Sequence, residues 1–92
     1  MDERWVGRRV YGAYPDDPDP WAEEGELYVE LTGGPLDGEL LQVTGWTREE
    51  LAGGVALICE TSAWGPGGRA EYEPADPAAT VIDRYVWVGD SP

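Results

Sequence analysis

From residue 26 onward the chain alternates apolar and polar positions in short bursts, separated by Gly- and Pro-rich breaks. Over 26–32, Leu27, Val29 and Leu31 alternate with Tyr28, Glu30 and Thr32. That period of two predicts a strand with one buried face. Residues 39–44 repeat the pattern with Leu41 and Val43 on one side. Between the two lies Gly33-Gly34-Pro35-Leu36-Asp37-Gly38. Pro35 presets φ at the second position of a turn and Asp37-Gly38 tolerates positive φ, so the pair is expected to form a β-hairpin.

Thr47 and Glu50 stand three apart, as a capping box requires, and Gly53-Gly54 follows as a stop. The expectation is a helix of one to two turns bridging two strands. Residues 55–61 form the most apolar run and are expected to make a central strand; 69–73 place Ala70 and Tyr72 on one face, and 81–88 read as the last strand before a short tail. Residues 5–11 are expected to add an edge strand. Five or six short strands with one short helix predict a mainly β fold, either a small antiparallel sheet or a partly closed barrel.

The breaks set the organisation. Pro15, Pro18 and Pro20 interrupt an acidic stretch, which blocks both helix and central strand and leaves an extended connector that Trp21 would pin to the body. Residues 64–68 read as a turn and 74–79 as a second Pro-broken connector. The chain thus divides into an N-terminal arm and acidic Pro-rich connector, 1–25, and a compact β domain, 26–92.

At 92 residues there is room for one thin core. Five Trp and five Tyr, with no Phe, must supply much of its burial. Charge then narrows the choice of partner. Asp and Glu number 19 against six Arg, with no Lys or His, for a net charge of −13. The composition matches a high-GC or salt-adapted genome. Residues 1–14 carry +1, 15–30 carry −7, and the remaining −7 is spread over 31–92. A field of that sign repels nucleic acid and anionic membranes, so no direct binding to either is expected. The charged first residues lack the apolar stretch of a secretory leader, and no apolar run approaches the ~20 residues of a membrane span. Those features predict a cytoplasmic protein.

GGPLDG at 33–38, GW at 45–46, the GPGGR and YEP elements within 65–74 and the closing YVWVGDSP at 85–92 together resemble a group of small proteins from actinobacteria and their phages. The closing segment departs from the acidic, aromatic ending of that group. The resemblance runs from about Leu27 to the last residue and implies a shared small β fold. No activity is established for the group, so it implies no functional residues.

The side chains offer little chemistry. Without histidine there is no serine triad and no histidine-based metal site. Cys59, the sole cysteine, lies in an apolar strand with no histidine to activate it, and reads as a core residue. Asp37 and Glu39 at the hairpin, and Glu71 and Glu73 on one strand face, read as solvated carboxylates. Asp16, Asp17 and Asp19 lack the glycine of a calcium loop, and the glycines at 65–68 lack the Lys-Ser/Thr ending of a phosphate loop. No catalytic residue, cofactor or metal is therefore expected, and the chain reads as no enzyme.

Trp46 and Trp64 are flanked by glycines at junctions, where they either close a barrel end or anchor a partner. Two functions follow. One is a non-catalytic protein-binding or structural accessory module, of phage or prophage origin on the resemblance. It would use Trp21, Trp46, Trp64, Asp16, Asp17, Asp19, Glu23 and Glu24, with homo-oligomerisation through an edge strand as a variant. The alternative is an acidic nucleic-acid mimic that inhibits a DNA-binding protein.

Overall fold

In the computed structural model, which describes residues 5–11, 21–59 and 68–91, the 33–38 turn closes a hairpin. Strand β1 (Tyr28–Thr32) pairs antiparallel with β2 (Leu40–Gln42), setting Val29 opposite Leu41. Helix α1 (Arg48–Ala52) starts on the expected capping box, with both reciprocal bonds between Thr47 and Glu50 formed. Strands β3 (Val55–Ile58), β4 (Arg69–Pro74) and β5 (Arg84–Ser91) then run as an antiparallel meander. The sheet order is β2-β1-β5-β4-β3, curled into a half-barrel. The chain is mainly β, as the pattern predicts.

The sheet is mixed: β5 returns from the meander parallel to β1. That return puts β5 at the centre, and the apolar run at 55–61 contributes an edge strand instead. Leu57 and Cys59 of the run are buried, whereas Ala56 and Ile58 point outward and Ile58 stays 59% exposed. Apolarity alone therefore misplaced it. The tail is also strand, since Gly89 to Ser91 pair with Glu71 to Arg69. A bulge at the Glu71/Tyr72 step leaves Val88 opposite no partner, which lets β5 continue past Trp87.

Two apolar clusters form, one on each face. The concave face holds Val29, Leu31, Tyr72 and Tyr85, all fully buried, with Leu41, Val43 and Leu57 around them. The opposite face buries Tyr28 and Leu40 under Trp5, with Val10 and Ala22 beside them. Tyr28 thus lies on the face the alternation assigned to solvent, yet is buried there. What covers it is the segment 5–11.

That segment makes a single parallel bridge, Val10 to Leu40, in place of a full edge strand. Leu40 N–H donates to the Arg9 carbonyl (2.8 Å) and Tyr11 N–H to the Leu40 carbonyl (2.7 Å), while Ala22 N–H bonds Arg8 from the other side (3.0 Å). The Arg8 guanidinium grips the Gly38 carbonyl at 2.6 Å and lies 3.4 Å from Glu30. From the β2 edge the Tyr11 hydroxyl reaches across to donate to the Ile58 carbonyl of β3 (2.9 Å). One short segment thus joins the two edges that the half-barrel leaves apart.

Tyrosine hydroxyls also fasten the loops. The Tyr72 hydroxyl donates to the Gly33 carbonyl (2.7 Å) and accepts from Leu36 N–H (3.0 Å), which ties β4 to the hairpin turn. The Tyr85 hydroxyl donates to the Leu51 carbonyl at the end of α1 (2.6 Å). Trp87 rests on Gly34, whose φ of +66° and close approach to the indole leave no room for a Cβ.

Candidate functional site

The strand ends near Leu27 and Val43 are clasped by one carboxylate. Glu26 accepts from Thr44 Oγ1 (2.6 Å) and Gln42 Nε2 (2.9 Å), and Thr44 Oγ1 in turn accepts from Leu27 N–H (2.9 Å). The Val43 N–H bonds the Leu27 carbonyl (2.8 Å). The backbone of Leu27 is held in this way while its side chain stays outside, 62% exposed. Across from it, Arg48 of α1 donates to the carbonyls of Pro77 (2.9 Å) and Thr80 (3.1 Å), which pins the loop before β5 against the helix.

These restraints frame a cleft of about 480 Å³ between the start of β1, α1 and residues 80–83. Its depth is made by the buried Trp5, Tyr28, Val43 and Ile82, with half-buried Trp46 among them; Leu27 and Val81, the latter 68% exposed, stand at its mouth. A smaller cleft of about 270 Å³ adjoins it, sharing Trp5, Val81, Ile82 and Asp83 and adding Glu30, Asp76 and Arg84. No family model matches the chain, and no curated protein or solved structure does.

Of the residues the sequence singles out, Trp46 and the neighbourhood of Glu23 and Glu24 come nearest this cleft. Trp46 lines it and packs on the concave core. Glu23 and Glu24 are exposed, and Glu23 N–H bonds the Tyr28 hydroxyl at 2.7 Å. Trp21 is 47% exposed and bridged to Arg9, away from the cleft lining. Trp64, Asp16, Asp17 and Asp19 lie outside the described residues. The sequence reading missed Trp5, Leu27, Val81 and Arg48. Alternation placed Leu27 inward with Val29, but strand pairing begins only at Tyr28. Val81 read as the first residue of the last strand, whereas pairing starts at Arg84.

A second constellation lies near the 5–11 segment, where it spans from β2 to β3. Glu39, expected on solvent, is half-buried; burial raises its carboxyl above the usual range and Arg9 partly opposes that. Burial likewise raises the Tyr11 phenol, reinforced by Cys59 and Glu39, while its bond to Ile58 acts the other way. Cys59 is buried, as its apolar run predicts. None of these three lines the cleft, and the Tyr11 hydroxyl is engaged with backbone, so the group serves the join. Among the described residues no three acidic or cysteine side chains converge to hold a metal, and no helix is long and apolar enough to cross a membrane.

Proposed function

We propose that the chain is a non-catalytic, cytoplasmic protein-binding module whose cleft between α1 and β1 receives apolar side chains of its partner. The observation that carries this is the pair Leu27 and Val81, left 62% and 68% exposed at the mouth of a cleft whose depth is aromatic and aliphatic. Full burial of such side chains is worth about 1.5–3 kcal/mol each, which the isolated chain forgoes. A volume of about 480 Å³ falls within the range of ligand pockets and suits one or two large side chains.

The polar groups around the cleft favour binding over chemistry. Arg48 is spent on two backbone carbonyls, Glu26 on Thr44 and Gln42, and the Tyr28 hydroxyl on the Glu23 amide. Each holds structure in place. An accessory role in a phage or prophage accords with the resemblance of residues 27–92.

Nucleic-acid mimicry draws its support from the net charge of −13. Affinity capture from a lysate of the encoding organism separates the two readings, using the wild type and a Leu27→Ser/Val81→Ser variant at low and high salt. Apolar docking predicts a partner kept at high salt and lost at least tenfold in the variant. A partner released by salt and indifferent to both substitutions would refute it in favour of mimicry. Both side chains are exposed, so the variant should melt as the wild type does.

A further inference from the structure

Resting on the apolar docking just proposed, we infer that the partner segment is cationic as well as apolar: an aliphatic anchor flanked by Arg or Lys. The two adjoining clefts divide the recognition. The larger supplies apolar surface, from Leu27 and Val81 at the mouth to Trp5 and Trp46 within. Across both, the carboxylates of Glu26, Glu30, Asp76 and Asp83 outnumber the guanidiniums beside them, those of Arg48, Arg84 and Arg8, the last paired with Glu30 at 3.4 Å. Glu26 also accepts from Thr44 and Gln42 and Arg48 donates to the Pro77 and Thr80 carbonyls, but these neutral partners leave the charges of both side chains in place.

The wider molecule pushes the same way. Glu23 and Glu24 precede the cleft in sequence and Glu49 and Glu50 lie on α1, all exposed, within a net charge of −13. An acidic or neutral segment would meet repulsion or no attraction on approach, whereas a basic flank is drawn in and held beside the apolar anchor. Because the clefts share the 81–83 stretch, anchor and charge can lie on one short segment.

The test uses three short capped peptides and the ¹⁵N-labelled full chain: a Leu-Leu centre flanked by Arg, the same centre flanked by Ser, and a Ser-Ser centre flanked by Arg. The indole N–H signals are the readout. The Arg-flanked Leu peptide should move Trp5 and Trp46 but not Trp87, and bind about tenfold tighter than its Ser-flanked counterpart. That advantage should fade at high salt, and the Leu27→Ser/Val81→Ser variant should weaken binding. Equal affinity of the two Leu peptides would overturn the charge selection and leave apolar docking standing. Equal binding by the Ser-Ser peptide would overturn the inference by showing charge attraction alone. Failure of both Leu peptides to move Trp5 and Trp46 would overturn the docking reading and this inference with it.

Discussion

Replacing Tyr72 by Phe removes one oxygen and leaves two backbone groups stranded. The ring is fully buried, so Phe fills the same space and no cavity opens. The Gly33 carbonyl loses its donor and the buried Leu36 N–H loses its acceptor. Two hydrogen bonds at roughly 1 kcal/mol each, plus about 1–2 kcal/mol for a buried amide with no partner, give a loss of about 3–4 kcal/mol. A domain of this size holds roughly 5–14 kcal/mol in total, so the effect is large. With a urea m-value near 1 kcal/mol/M, the midpoint should fall by roughly 3–4 M, read by tryptophan fluorescence and far-UV circular dichroism. Tyr11→Phe is the internal control, since it removes one solvent-exposed bond and should cost only about 0.5–1 kcal/mol. If Tyr72→Phe lost less than Tyr11→Phe, or under about 1 kcal/mol, the claim that this hydroxyl holds the turn would be wrong.

Two further substitutions probe other joints. Gly34→Ala combines strain at φ +66° with a collision against the Trp87 ring, so a loss of about 2–3 kcal/mol and a drop in Tm of roughly 8–24 °C are expected. Adding Trp87→Val should recover the collision part alone, and strict additivity in that double-mutant cycle would exclude the contact. Burial raises the Glu39 carboxyl, so the folded state holds more protons than the unfolded one just above the ordinary carboxylate range. Stability contributed at this site is therefore present at low pH and falls as pH rises through that window. Glu39→Gln should thus be more stable than the wild type at neutral pH, with the gap narrowing in acid; a gap that widened in acid would reverse the assignment.

The hairpin, the helix cap and the faces of β4 were legible because each rests on residues close in sequence. Pro35 with Gly38, Thr47 with Glu50 and Ala70 with Tyr72 answer to local geometry alone. Sheet order was not legible, because nothing in the 55–61 run records that β5 will take the centre by pairing with both β1 and β4. The second face stayed hidden for the same reason. Tyr28 has an outward-facing position in its strand, and only the return of Trp5 over it makes that position interior. The cleft followed suit: Leu27 and Val81 sit at strand ends by periodicity, and they line one cleft across which Arg48 anchors the loop before β5.

The segment that joins the edges of the half-barrel also sets an order of events during synthesis. Residues 5–11 leave the ribosome before anything they bind exists. Their β2 contacts await Leu40, and Tyr11 meets Ile58 only 47 residues later. The closing contact therefore carries the entropy of a long loop. Residues 5–11 can settle only once the strands they bridge are in place, and they bring the cover of the Tyr28 face with them.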